Sequence, residues 1–289
     1  MLTCGTVRMS RFMIGSDSGV PYRFGEAMLA AERQARIVEE IHRRGAVRVI
    51  EFAQMLGVSD MTIRRDLDAL AHQGLVDKVH GGATRARSAS TEEPGFEAKS
   101  LRQQPEKEAI AAAAVELVSP GTAVGLSAGT TTWALAHALR AVDGLTIVTN
   151  SMRIADVLHS LPRTNQNVVV VGGVRTPSDA LVGPIAVSAL AQLHLDIVFL
   201  GVHGMAETAG YTTPNLLEAD TDRALVKAGR RLVVLADHTK WGMVGLSTIA
   251  RLDDADVVIS DEGLPADGRA ALAEHVDDVR LVKVEGAFR

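Results

Sequence analysis

Several things are scarce in this sequence, and each absence excludes something. Cysteine occurs once, at Cys4, so no internal disulfide can form, which fits a reducing cytoplasm. No apolar run approaches the ~20 residues needed to span a bilayer, so a cytoplasmic chain is expected. The nine histidines are scattered, and His238 beside Asp237 is too little for a metal site. Neither a metal nor a cofactor is expected. A surplus of positive charge is also missing, since the net charge is −5. That deficit is unevenly shared. Residues 32–87 hold ten Lys/Arg against eight Asp/Glu, while residues 88–289 hold 17 against 25. The acidity belongs to the second part of the chain. What is present is 47% hydrophobic residues over 289 positions, enough for two domains with real cores and too much for a disordered protein.

The most informative stretch runs from Val47 to Ala83. Glu51–Leu56 reads as a short helix ended by Gly57, a residue that accepts a left-handed conformation. Ser59 is a natural N-cap for a second helix. There Ile63, Leu67 and Leu70 recur at spacings of four and three, which makes one buried stripe. At ~100° per residue the stripe leaves Met61, Arg65 and Asp68 outward, with Thr62 and Arg64 on the flanks. A helix so placed lies in the DNA major groove, where Arg suits guanine and Thr a phosphate or thymine methyl. The alternation Leu75–His80, followed by Gly81-Gly82, predicts a strand and tight turn: the wing of a winged helix. Lys78 and His80 would touch phosphates. The DNA-contact set is therefore Ser59, Met61, Thr62, Arg64, Arg65, Lys78 and His80. Taken alone, Arg64-Arg65 is equally a solvated face; the glycine, the cap and the wing in register favour DNA. Upstream, Glu32–Arg44 reads as a first helix.

From Pro105 strand-like runs alternate with helical ones, beginning at Ala123–Leu126, Thr146–Val148, Val168–Val171, Ile197–Leu200, Leu232–Ala236, Val257–Ile259 and Val279–Val284. This pattern indicates an α/β domain with a largely parallel sheet, in which ligands sit at strand carboxyl ends. Polar loops stand there. Ser127, Gly129, Thr130, Thr131 and Thr132 enter a helix and offer N–H groups and hydroxyls to an anion. Asn150 follows the second strand, Gly172-Gly173 the third, and Lys240 a later one. Each has a plainer reading as a turn, a cap or a solvated charge; their shared position argues for one pocket. Four divisions are expected: 1–30, a disordered extension in which Met28 is an alternative start; 31–86, a winged helix-turn-helix; 87–104, a linker; and 105–289, an α/β sensor.

With VSDMTIRRDLDAL and HGGA quoted at this spacing, Glu32–Ala83 resembles the N-terminal domain of the DeoR family of bacterial transcriptional regulators. Lys78 stands where Arg is common in that family. AGTTT at 128–132, TNS at 149–151, VGG at 171–173 and ADHTKWG at 236–242 resemble, in order, the family's sensor domain, which is similar in fold to ribose-5-phosphate isomerase. Glu218–Arg223 resembles a further block, with Asp222 where a basic residue is common. Ser127 replaces an Asp that often precedes the Gly-Thr-Thr run. The resemblance implies that the GTTT loop holds a phosphate, that Asn150 and Lys240 line a sugar pocket, and that Glu218 belongs to it. It implies a repressor of carbohydrate genes released from DNA by a phosphorylated sugar.

The alternative is a phosphosugar isomerase with an accessory DNA-binding domain. Such an enzyme needs a general base, yet the loop after Ile197–Leu200 is Gly201-Val202-His203-Gly204-Met205, with no carboxylate until Glu207. No catalytic residue is assigned. The expected partners are a double-stranded operator, a phosphorylated metabolite and further copies of the chain, because one winged helix covers too little DNA for a unique address.

Overall fold

The structure is a computed structural model describing residues 29–72, 75–79, 81–85, 91, 95–159 and 165–284. The expected extension before Leu29 and the DNA-contact candidate His80 lie outside the described residues. The chain divides into two compact units between Arg87 and Ser88.

In the first unit three helices, Ala30–Arg44, Val49–Leu56 and Asp60–His72, enclose a core of Ile37, Ile41, Phe52, Ile63, Leu67 and Leu70, each at most 2% exposed. These are the i, i+4 and i, i+3 positions of amphipathic helices, so their burial follows from the sequence period. The wing strands Val76–Val79 and Gly82–Arg85 pair antiparallel. A third strand, Ala46–Arg48, pairs with Gly82–Arg85. At three residues it is too short to leave an alternation pattern, and it explains the second glycine of the wing. A Cβ at Gly82 would stand 2.4 Å from the Val47 carbonyl oxygen, so only glycine lets the strands close.

The second unit is a seven-stranded sheet with every pairing parallel. In spatial order its strands are Asp278–Val282, Val257–Asp261, Leu232–Leu235, Ile197–Gly201, Ala123–Leu126, Thr146–Thr149 and Asn167–Val170. All seven expected strands are present with ends within two residues. One face packs on the helices Gln104–Val115, Thr130–Leu139 and Met152–His159 through Ile110, Leu135 and Ile154. The other packs on Pro184–Leu190, Leu216–Ala228 and Ala266–His275 through Leu190, Leu225 and Leu272. Strands covered on both faces read as continuous apolar runs, as the central ones Leu232–Leu235 and Ile197–Gly201 do.

Strand order reverses between Ala123–Leu126 and Ile197–Gly201, neighbours in space separated in sequence by two other strands of this sheet. In an open parallel sheet the two crossovers leave such a point in opposite directions and open a crevice at its carboxyl edge.

Short pieces that the sequence reading passed over complete the unit. They are the antiparallel strands Gly204–Ala206, Gly210–Thr213 and Ser247–Ala250, the hairpin Val174–Arg175 with Leu181–Val182, and the helix Phe96–Ser100. That helix falls inside the segment expected to be a linker. Buried Phe96 sets its ring edge-on to Trp133 at 5.9 Å, and the Arg153 guanidinium lies 5.0 Å over it. This is apolar burial that a polar composition concealed.

Candidate DNA interface and effector site

Recognition helix Asp60–His72 begins as its cap predicts. Ser59 Oγ accepts from the Thr62 N–H at 3.2 Å and lies 2.9 Å from the Thr62 hydroxyl. Both groups are thereby committed to shaping the helix start. Met61 is 66% exposed, and Arg64 and Arg65 are exposed. Among the described residues, Arg48, Arg64 and Arg65 form no ion pair or side-chain hydrogen bond, so their guanidinium groups are free to meet phosphates or bases. Lys78 is differently placed: it is ion-paired with Asp68 of the recognition helix. Arg44 is held by Glu40 and, at 3.4 Å, by Glu51.

The helix is anchored by a residue that sequence reasoning missed. Asp66, 5% exposed, accepts from Arg33 Nε at 2.5 Å, Arg33 Nη2 at 3.1 Å and Gln34 Nε2 at 3.0 Å. The pair raises the Arg33 pKa through this hydrogen bond against the cost of burial. It fixes the recognition helix to the first helix with a two-toothed clamp. The only signal was an acidic residue next to the apolar stripe, where a solvated face would not place it.

The second candidate site lies at the switch point. The Ser127 side chain, fully buried, accepts from the Gly201 N–H at 2.9 Å, and the Ser127 N–H reaches the Phe199 carbonyl at 3.1 Å. These bonds tie the two divergent loops together. Thr132 donates to the Ser127 carbonyl at 2.7 Å and tightens the same loop. Gly129 is the N-cap residue of Thr130–Leu139, and no side chain caps the helix. The first N–H groups of a helix have no partner inside it, and here they meet the crevice with the positive end of the dipole. Thr131, 6% exposed, has no hydrogen-bond partner for its hydroxyl among the described residues.

Asn150 is brought directly to this loop. Its Oδ1 accepts from the Ala128 N–H at 2.8 Å, which fixes the amide's orientation and leaves Nδ2 as a donor without a partner among the described residues. Gly172 is exposed. Gly173 serves the backbone: at φ 139° a Cβ there would stand 2.5 Å from the Val182 carbonyl oxygen. That close approach turns the hairpin back over Asn150, whose carbonyl accepts from Leu181 at 2.7 Å. Beyond the hairpin strand Val174–Arg175, Thr176 donates to Glu218 Oε1 at 2.7 Å, and Thr213 donates to Oε2 at 3.3 Å. Four residues on, Asp222 is 7% exposed. Burial, helped by the charge of Glu218, pushes its pKa well above the usual carboxylate range, with Arg223 opposing weakly.

Lys240, half-buried, follows strand Leu232–Leu235 and makes no side-chain bond or ion pair among the described residues. Beside it, His238 Nδ1 and N–H both meet Asp261, at 2.7 Å each. Burial pulls the imidazole pKa down, but the bond to Asp261 and its charge outweigh that and hold it above its ordinary value. Lys107, 5% exposed, donates to the carbonyls of Lys99, at 2.6 Å, and Arg102. Burial lowers its pKa to about 8, against the pull of Asp237.

The helix Phe96–Ser100 is docked against the same hairpin. Phe96 N–H reaches the Pro177 carbonyl at 3.4 Å, Lys99 Nζ reaches Ser178 Oγ at 2.7 Å, and Arg153 joins Glu97 to Asp179 at 2.6 Å each.

Two family profiles match this chain: the DeoR-like helix-turn-helix domain over residues 33–89 and the DeoR C terminal sensor domain over residues 102–262. The chain belongs to the DeoR family of transcriptional regulators. Among the relatives of this DeoR-family regulator is the HTH-type transcriptional regulator GlpR of Haloferax volcanii, 35% identical over 91% of this chain and 100% of its own length. The HTH-type transcriptional regulator GolR of Listeria innocua is 34% identical over 81% and 91%. The HTH-type transcriptional repressor CsqR of Escherichia coli K12 is 31% identical over 86% and 93%. A ribose-5-phosphate isomerase in complex with phospho-erythronic acid overlaps 47% of the chain and 52% of its own at a TM-score of 0.35 and 12% identity, a likeness too low to decide any chemistry. Within the described residues no helix of the regulator is long and apolar enough to cross a membrane.

Proposed function

We propose that this regulator represses genes of carbohydrate metabolism and leaves its operator when a phosphorylated sugar enters the switch-point crevice. The observation that carries this reading is the uncapped helix start at Gly129–Thr132, flanked by the free amide of Asn150. An anion there gains several N–H bonds and the helix dipole at once. The ammonium of Lys240 adds charge from a neighbouring loop. A relative named as a repressor supports the sign of the response. Arg64 and Arg65 read the operator in a homo-oligomer whose copies take repeated half-sites.

The route for the signal is short. Glu218 holds Thr176, the residues after Thr176 hold Phe96 and Lys99, and Phe96–Ser100 lies on the DNA-domain side of the sensor sequence. Ligand that draws Glu218 away from Thr176 loosens that docking. A coupling of ~1–3 kcal/mol per site is enough. Glu218 is committed to the hydroxyls of Thr176 and Thr213, and catalysis is no part of the proposed function.

Fluorescence anisotropy on DNA upstream of the protein's own gene, titrated with sugar phosphates in phosphate-free buffer, tests this. Specific binding abolished by one such compound supports the switch; specific binding indifferent to all of them refutes the sensor. Turnover of a sugar phosphate that disappears in Glu218→Gln would restore the enzyme reading.

A further inference from the structure

The crevice has an acidic end as well as an anion-binding one. Helix Leu216–Ala228 runs antiparallel to the strands it covers. Gly229, just past its end, would place a Cβ 2.6 Å from Val198 Cγ2, and Leu225 Cδ1 lies 3.1 Å from where Gly125 would carry one. Each turn toward the helix start therefore climbs ~5.4 Å toward the carboxyl ends of the strands. One turn before Leu225 stands Asp222, and one turn earlier Glu218. Strand alternation puts position 127 on the same face as 125, so Asp222 comes level with Ser127 and Gly201, at the point where strand order reverses.

The two carboxyl groups are treated differently. Glu218 is held by the hydroxyls of Thr176 and Thr213. Asp222, more than nine-tenths buried, has no hydrogen bond or ion pair among the described residues. Buried polar groups are as a rule hydrogen-bonded, and one left without a partner at the mouth of a binding crevice marks a place where a ligand supplies it. The nearest cation in sequence, Arg223, is turned away, to the Thr248 carbonyl at 2.6 Å and to Asp220 at 3.1 Å.

We propose, resting on the reading of this crevice as a sugar-phosphate site, that the effector is a phosphorylated sugar carrying a primary amine, its phosphate at Gly129–Thr132 and its ammonium between Glu218 and Asp222. An ammonium offers three donors and no acceptor, which matches two carboxylates. A hydroxyl at the same place donates once and brings no charge to draw the proton from Asp222. A second phosphate would face both carboxyl groups. In the empty site burial, with the charge of Glu218 beside it, favours the acid form of Asp222. When the ammonium enters, the Asp222 carboxyl proton leaves to solvent, the ammonium keeps all three of its own, and no covalent bond forms.

The test is isothermal titration calorimetry on the full chain with matched pairs: glucosamine 6-phosphate against glucose 6-phosphate, and galactosamine 6-phosphate against galactose 6-phosphate. Each runs in buffers of different ionisation enthalpy. The expected result is at least a roughly tenfold preference for the amine in one pair, with about one proton released, as a buried carboxyl losing its proton requires. Asp222→Asn, nearly isosteric, should erase the preference and the proton release together. Equal binding within each pair, or tighter binding of the hydroxyl compound, overturns the amine assignment while leaving the sugar-phosphate reading standing. No binding of any of the four overturns the amine assignment, and the sugar-phosphate reading is then decided by the anisotropy titration alone. A preference that survives in Asp222→Asn removes Asp222 from the site.

Discussion

The two functional surfaces of this regulator are built on opposite plans. In the winged helix the candidate contact residues Arg64 and Arg65 are exposed and unpartnered, and rigidity is supplied from behind by Asp66 and Arg33. In the sensor several candidate contact residues are already held by neighbours: Ser127 by Gly201, Asn150 by Ala128, Glu218 by Thr176. The difference suits the proposed partners. DNA is large and brings dense charge of its own, so a long side chain can find its phosphate after docking. A sugar phosphate has few atoms, and its binding groups must be positioned before it arrives, because ordering them afterwards consumes the affinity.

Breaking each plan should give distinct results. The largest effect is expected at the hidden anchor: Asp66→Ala strands the Arg33 charge and should destabilise the first unit by ~3 kcal/mol, seen as a lower melting temperature and loss of DNA binding. Arg65→Ala should leave stability alone, weaken operator binding by ~1–3 kcal/mol and relax specificity at one base pair. Unchanged operator affinity would mean that the outward face is assigned wrongly. Lys240→Ala should keep DNA affinity and raise the effector concentration needed for release about tenfold, as loss of one charged hydrogen bond requires. A response equal to wild type takes Lys240 out of the site. The His238–Asp261 pair should show itself in pH. Because the folded imidazole holds its proton more tightly than the unfolded one, the stabilisation is complete below the ordinary histidine pKa of ~6.5 and fades as pH rises through the raised folded value. The melting-temperature loss in His238→Gln should therefore shrink between pH 5.5 and pH 8.5. The smallest effect is expected at Lys78: already paired with Asp68, its removal should change the salt dependence of DNA binding by less than one full phosphate contact.

Legibility in sequence followed the same divide. The winged helix is specified by neighbours: Gly57, Ser59 and the Ile63–Leu67–Leu70 stripe lie within fourteen residues, and each did locally what its chemistry predicts. The parallel sheet was legible because strands buried on both faces leave long apolar runs. The crevice was legible only in part. The Gly129–Thr132 loop announced itself, but what faces it is set by sheet order. Gly201 lies 74 residues from Ser127, and Thr176 lies 42 from Glu218. No periodicity encodes such pairings. Phe96–Ser100 was hidden for another reason: one buried ring and two charged tethers hold it, too few to shift the composition of a polar stretch.

The cores of this protein also set how it can be rebuilt. The first cluster and the residues packed on it lie wholly between Ile37 and Ala83, and the other two draw on nothing before Ile110. A splice made after Ala83 and before Phe96 divides none of these clusters, which makes it the place to try exchanging reader and sensor among relatives. A chimera that keeps Phe96–Ser100 with its own sensor carries the docking residues along with it, and a library of such hybrids would turn metabolite recognition into a choice of reporter promoter.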